Sequence, residues 1–411
     1  MDARTRLDAP PLPAPLSGLR VALVHDWLTG LRGGEKCLEV LCEAFPDAAL
    51  HTLVHRRGSA GPTIERMDIR TSALQKIPGA TRHYRQLLPL MPAAARGWDV
   101  GEVDLVVSLS HCVAKAVRVP AGVPHACYCF TPMRYAWDGR DAYLDGWRDK
   151  PARRFVAGAI LDRLRRWDRD TSPRVGHYVA ISEAVRGRIA RCYGRDSRVI
   201  RPPVDADFYT PANVERGGPY LCVSALVPYT KVDQAVAACT ARGWPLVVIG
   251  KGPERARLEA MAGPTVEFLG WRPDEVVRDH YRACRALLFP GEEDFGIVPA
   301  EALACGAPVV ALGVGGAAET VDDSVGKLYL DPTTEGLIAA IEAWEAEGRP
   351  HDPAEARRRA EALARPLFRR RLLAYLAEVV AVHAGGVRGP HLRATARAGV
   401  GAKFLGRGRR P

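Results

Sequence analysis

A chain of 411 residues with 47% hydrophobic side chains carries enough apolar material for roughly two or three packed domains, and no apolar run approaches the ~18 residues needed to cross a bilayer. The net charge of +11 points toward anionic partners, yet the basic stretches lack the interleaved aromatics of single-strand binders, which argues against nucleic acid. Ten cysteines without a Cys-x-x-Cys pair read as reduced, buried thiols, not as a disulfide framework or a zinc site.

Residues 1–18 hold Pro10, Pro11, Pro13 and Pro15 together with acids and no apolar h-region. They are expected to be disordered and not a signal peptide, which places the chain in the cytoplasm. The first strand signal is Arg20-Val21-Ala22-Leu23-Val24-His25, and a helical pattern follows from Gly34 to residue 45. Gly33-Gly34 between them would let a phosphate approach the backbone, although such a pair is also an ordinary tight turn, and the Walker A pattern is absent. Further strands are read at 104–107, 126–129 and 177–181, and Ser182 caps a helix closed by Gly194. Between these lies a basic helix with Arg153, Arg154, Arg163, Arg165, Arg166 and Arg169 beside Phe155, Ile160, Leu161, Leu164 and Trp167. It reads either as a surface for anionic lipid headgroups or as a solvated helix face.

Pro202-Pro203 and the prolines at 211 and 219 bracket a hinge. A second series follows: strand 220–223, helix 232–241, strand 246–249 with the turn Gly250-Lys251-Gly252-Pro253, helix 254–262, strand 266–269, helix 275–284 and strand 285–289. Two such series read as two similar α/β layers. The stretch Phe289-Pro290-Gly291-Glu292-Glu293-Asp294-Phe295-Gly296 then leads into a helix over 297–305, closed by Gly306 and followed by a strand over 308–312. At such a strand-to-helix junction, free N–H groups and the helix dipole attract a phosphate. Two carboxylates there, Glu293 and Glu301, suit sugar hydroxyls, since they accept hydrogen bonds but repel a diphosphate. From 388 onward Arg388, Arg393, Arg397, Lys403, Arg407, Arg409 and Arg410 stand without any acid, the pattern of a disordered basic tail.

This Glu-x7-Glu pattern, with Gly306-Ala307-Pro308-Val309-Val310-Ala311 after it, resembles the donor-site motif of family 4 retaining glycosyltransferases. From about residue 20 to 376 the order of segments resembles the bacterial mannosyltransferase-like branch that builds lipopolysaccharide O-antigen and exopolysaccharide. The segments are Val24-His25-Asp26-Trp27-Leu28-Thr29 with Gly33-Gly34-Glu35-Lys36, Ser110-His111-Cys112-Val113-Ala114-Lys115, Thr131-Pro132-Met133-Arg134-Tyr135-Ala136-Trp137-Asp138, Pro202-Pro203-Val204-Asp205, Leu226-Val227-Pro228-Tyr229 and the Glu293 block. The resemblance implies an α/β chain of GT-B architecture, two Rossmann-like domains facing across a cleft. An acceptor domain would span 19–205, a nucleotide-sugar donor domain 206–365, a crossover helix 366–383 returning to the first domain, and a basic disordered tail 384–411.

The implied reaction is transfer of a hexose, mannose from GDP-mannose in the leading case and a UDP-hexose as runner-up, to a lipid-linked or polysaccharide acceptor in cell-surface glycan synthesis. The enzyme would work in the cytoplasm or peripherally on an anionic inner membrane face. Glu293 would hold the transferred sugar, Glu301 the ribose, and the backbone of Phe295, Gly296, Ile297 and Val298 the diphosphate. Gly250, Lys251 and Gly252 would lie near the base and phosphates, and Gly33, Gly34, Asp26 and Arg134 would form the acceptor or phosphate loop. Lys231 would meet the charge of the departing diphosphate, so neither a metal nor another cofactor is expected. Three positions depart from the pattern of the relatives, with Ala225 and Thr230 for Arg and Lys, and Phe130 for His. They motivate an alternative, a nucleotide-sugar-binding or scaffold protein of the same fold with impaired transfer.

Overall fold

The longest apolar runs become the centres of two all-parallel sheets in the computed structural model, which describes residues 11–145 and 149–385. The first sheet comprises β1 (Val21–His25), β2 (Ala49–Thr52), β3 (Asp68–Thr71), β4 (Leu105–Ser110), β5 (His125–Cys129), β6 (His177–Ala180) and β7 (Arg198–Val199), in the order β3-β2-β1-β4-β5-β6-β7. Within β1, Val21 and Leu23 enter one core and Ala22 and Val24 another. Alternate side chains leave opposite faces of a strand, and helices cover both, so a central strand is apolar throughout.

The second sheet holds β8 (Tyr220–Val223), β9 (Leu246–Ile249), β10 (Val266–Gly270), β11 (Leu287–Phe289), β12 (Val309–Leu312) and β13 (Gly326–Tyr329), ordered β10-β9-β8-β11-β12-β13. Tyr220 and Cys222 of β8 pack on one side and Leu221 on the other. Each sheet reverses its strand order once, between β1 and β4 and between β8 and β11. Loops leaving those neighbouring strands diverge, and the crevice they leave is where α/β sheets take ligands. All ten cysteines are free and buried.

Two chain crossings join the domains side by side. Val204 forms a parallel bridge with Ala364, and its N–H donates to the Leu363 carbonyl at 2.9 Å. The helix Arg365–Ala384 then returns to the first domain, where Phe368 meets Tyr128 edge-on with centroids 5.7 Å apart. Arg365 pairs with Glu43 at 3.0 Å and Arg198 with Glu378 at 2.7 Å, which fixes the two ends of the return.

The expected disorder of residues 1–18 does not extend to the described part from residue 11. Ala14–Leu16 form a 3-10 turn, and Leu16 is buried in the core that also holds the crossover helix. Pro13 and Pro15 pre-set the backbone for the turn, and Leu16 supplies an apolar anchor. Residues 1–10 and the basic tail from 386 onward lie outside the described residues. No helix among the described residues is long and apolar enough to cross a membrane.

Candidate active site

Glycines lock the loops beyond β8, β11 and β12 into one another. A Cβ on Gly291 would lie 2.7 Å from the Thr230 carbonyl oxygen, and one on Gly316 would lie 2.2 Å from Phe295 Cα. Glu293 bridges Gly315, and its carbonyl accepts the Gly316 N–H at 2.8 Å. This interleaving sets where the helix Ile297–Ala304 begins. Gly296 stands at its N-cap with φ 85°, and no side chain caps the helix, so its first-turn N–H groups remain for an anion.

The two glutamates flank that helix start. Burial pushes the Glu293 carboxyl up to about 7; Asp294 adds to the rise, and Arg134 opposes it. Glu301 is buried within the helix, and burial likewise raises its carboxyl above the usual range. Its Oε1 accepts from Lys36 Nζ at 3.2 Å, and Tyr281 Oη donates to its Oε2 at 3.4 Å. Lys36 belongs to the first domain, in the first turns of the helix Gly33–Ala44, so this ion pair spans the cleft. Burial alone would lower Lys36, but the Glu301 and Asp274 carboxylates outweigh it and hold the ammonium above its ordinary value. Glu301 is the more buried partner, which is why desolvation wins on its side of the pair.

A second set of contacts holds the Glu292 to Asp294 stretch from across the cleft. Arg134 donates to the Glu292 carbonyl at 3.1 Å and lies 5.4 Å over the Tyr229 ring. Arg188, nearly fully buried in the helix Glu183–Tyr193, binds the carboxylates of Asp294 and Glu292 and that of Asp138 at 3.0 Å. Ser182 caps that helix and also donates to the Asp294 carbonyl. Glu319 accepts from the Ala184 N–H at 3.1 Å and pairs with Arg201 at 2.9 Å. Lys36, Arg188 and Arg201 therefore join Arg134 at the cleft although sequence reading gave them no role. Only Lys36 sat in a recognised segment; Arg188 is an ordinary helical arginine with no local signal.

Asp26 is a correction to the expected acceptor or phosphate loop. It is fully buried, and its two oxygens accept N–H groups from His111, Cys112, Val113 and Ala114 at 2.7–2.9 Å, with His111 Nδ1 at 3.2 Å. Those bonds use the carboxylate completely, so Asp26 caps the turn after β4 and has no oxygen left for a ligand. His125, a histidine five residues before Phe130, lies buried against Ser108 at 2.8 Å, and burial pushes it down to about 4. Phe130 packs at Gly34, where a Cβ would come within 3.3 Å of its ring, and lies edge-on to His25 and His111. Gly33 has open space around it.

The loop after β8 uses Thr230 structurally. Its hydroxyl donates to the carbonyls of Ala225 and Val227 at 2.9 and 2.8 Å, closing the turn that a lysine would otherwise reach out from. Lys231 follows at φ 54°, a left-handed conformation that costs a non-glycine residue about 1 kcal/mol or more. It is exposed and starts the helix Val232–Arg242, beside the Thr230 backbone that abuts Gly291. Gly250 and Gly252 are required by close approach to the chain itself: their Cβ atoms would lie 1.8 and 2.1 Å from the Ser224 and Leu226 carbonyl oxygens. Lys251 between them is exposed, its ammonium 5.8 Å from the Trp271 ring centroid.

With this geometry in place, the similarities to known proteins fall into a consistent set. Anabaena HepE in complex with UDP and glucose superposes with a TM-score of 0.65 at 18% identity over 88% of this chain and 99% of that one, which is a likeness of fold. The chain is 29% identical over 263 residues to a D-inositol 3-phosphate glycosyltransferase of Frankia alni, covering 58% of this chain and 64% of the relative. It is 37% identical over 95 residues to a GDP-mannose-dependent alpha-mannosyltransferase of Mycobacterium tuberculosis, covering 23% of this chain and 25% of the relative. It thus spans less than two thirds of the length of the curated relatives it matches. Residues 221–345, from β8 to beyond β13, match the family model described as glycosyl transferases group 1.

Proposed function

We propose that the chain is a retaining glycosyltransferase of family 4, in the branch that builds O-antigen or exopolysaccharide. It moves a hexose, mannose from GDP-mannose in the leading case, onto a lipid-linked or polysaccharide acceptor at the inner membrane face. The observation that carries this reading is the pair Glu293 and Glu301 around an uncapped helix start at the β8/β11 switch point, met from the other domain by Arg134 and Lys36. The glycosyl transferases group 1 match over the same domain supports it, and the mannosyltransferase relative supports the donor.

On donor binding, the ribose hydroxyls take Glu301 from Lys36, and the diphosphate rests on the N–H groups of Phe295 to Val298. Lys36, now released, and Lys231 supply positive charge as the glycosidic bond breaks. Glu293 accepts hydrogen bonds from the sugar, and the acceptor hydroxyl attacks the anomeric carbon from the same face as the leaving diphosphate, whose oxygen takes the hydroxyl proton as the glycosidic bond breaks. A second reading, nucleotide-sugar binding without transfer, is favoured by the use of the Thr230 hydroxyl on turn carbonyls. The test is incubation with GDP-mannose or UDP-glucose and a bacterial lipid extract, with NMR of the product. Transfer with retained anomeric configuration, unchanged by EDTA, is expected. Inversion, or abolition by EDTA with rescue by magnesium, contradicts the mechanism, and donor binding without product favours the second reading.

A further inference from the structure

A groove of about 610 Å³ lies on the first domain between the chain at Pro89 to Arg96 and the helix Pro151–Thr171. None of its lining residues is among the hydrogen-bond or ion-pair partners of the Glu292 to Asp294 stretch in the described residues. Arg96, Arg163, Arg166 and Arg174 line it and form no ion pair among the described residues. Its one lining carboxylate, Asp170, lies 4.0 Å from Arg169. An adjoining hollow of about 300 Å³ shares Arg174 and adds Arg118. Five guanidiniums from three distant stretches of sequence thus gather with a single acid, an arrangement that calls for anionic counter-charges, and the guanidinium fork matches phosphate oxygens two at a time.

The same helix leaves Phe155 and Val156 79% and 57% exposed, about one turn before Ile160 of the groove. Bare apolar side chains on the helix that carries the groove's arginines fit the headgroup layer of a bilayer, where rings enter the interface and cations meet phosphates. They fit nucleic acid less well, because Trp167 is the groove's one aromatic ring and is partly covered. We propose that this groove binds the phosphate headgroups of anionic phospholipids and seats the first domain on a membrane, with Phe155 and Val156 in the interfacial layer. The helix is also tied to the cleft. Trp137 Nε1 donates to Asp168 at 2.8 Å, Arg165 lies 4.5 Å over the Trp137 ring, and Arg134, three residues earlier, reaches Glu292. A membrane held here therefore lies at a fixed orientation to the candidate site, which gives the proposal its use if the acceptor is lipid-linked, although headgroup binding itself does not depend on that reading.

Sedimentation of the full chain with vesicles tests this directly. Binding to phosphatidylglycerol/phosphatidylcholine vesicles, absent with phosphatidylcholine alone and not released by inorganic phosphate at matched ionic strength, is expected. Arg163→Gln/Arg166→Gln/Arg174→Gln should weaken vesicle binding by roughly fivefold per arginine removed, and Phe155→Ser by several-fold. Nucleotide binding measured on the same triple variant should be unchanged, which certifies its fold and keeps this outcome separate from the donor-site reading. Vesicle binding of the triple variant equal to wild type overturns the proposal, because other basic segments then do the work. Release of the wild type by inorganic phosphate, or capture by a single-stranded oligonucleotide without vesicle binding, overturns it as well.

Discussion

Glu293→Gln is expected to raise stability and abolish most activity at once, and the two effects have one cause. The carboxyl is pushed up to about 7 by burial first and by Asp294 second. Its folded-state pKa lies above the ordinary carboxylate value, so its contribution to stability is complete below about pH 4.5 and is lost as pH rises through 7. At pH 8 the wild type carries a half-buried negative charge beside Asp294 that glutamine does not. Thermal melts should therefore show the variant more stable by a few degrees at pH 8 and unchanged within about a degree at pH 5. A sugar hydroxyl donating to a carboxylate gains roughly 1.5–3 kcal/mol, so its replacement by a neutral amide should slow transfer about 10- to 100-fold. Wild-type activity should rise with pH through about 7, whereas the variant should be low and flat. Equal turnover, or a stability gain that does not depend on pH, would remove Glu293 from the mechanism.

Arg188→Gln carries the second large effect. A guanidinium buried among Asp138, Glu292 and Asp294 neutralises three acids drawn from two domains. Removing one partner of a buried pair costs about 3–5 kcal/mol when the remaining charges stay dry. Here Glu292 and Asp138 are already partly exposed, so the less costly response is for the cleft to open and let water reach all three. A destabilisation of about 1–3 kcal/mol is expected, with a larger radius of gyration in solution scattering. Opening would also rehydrate Glu293, so the midpoint of the pH profile should move below 7 toward the ordinary carboxylate range. An unchanged radius with an unchanged midpoint would mean that Arg188 holds local structure only.

The parts legible in the sequence were those where one physical demand acts on consecutive residues. Central strands buried on both faces, such as β1, β8 and β9, read as unbroken apolar runs, and Ser182 and Gly194 announced the helix they close. Strands β2, β3, β7 and β13 were not foreseen. β3 is largely exposed, β7 has two residues, and β2 and β13 mix His51, Thr52 and Lys327 into four-residue strands. The Glu293 to Glu301 segment was legible because glycines and acids stand at fixed offsets along one stretch. The groups that meet it across the cleft were not, since Lys36 is 265 positions from Glu301 and Arg188 is 106 from Asp294. Asp26 misled for the same reason: a conspicuous acid in a loop looks like a ligand group until the backbone N–H groups of residues 111–114 fold onto it.

Calorimetric titration of wild type and Glu301→Ala with GDP, UDP, GDP-mannose and UDP-glucose tests the central claim most directly. One site per chain is expected, selective for one nucleotide, with an affinity at least about tenfold weaker in the variant, because a charged acceptor of the ribose hydroxyls is gone. Nucleotide binding of equal strength in both proteins, or none in the wild type, would contradict the assignment of this cleft as a donor site.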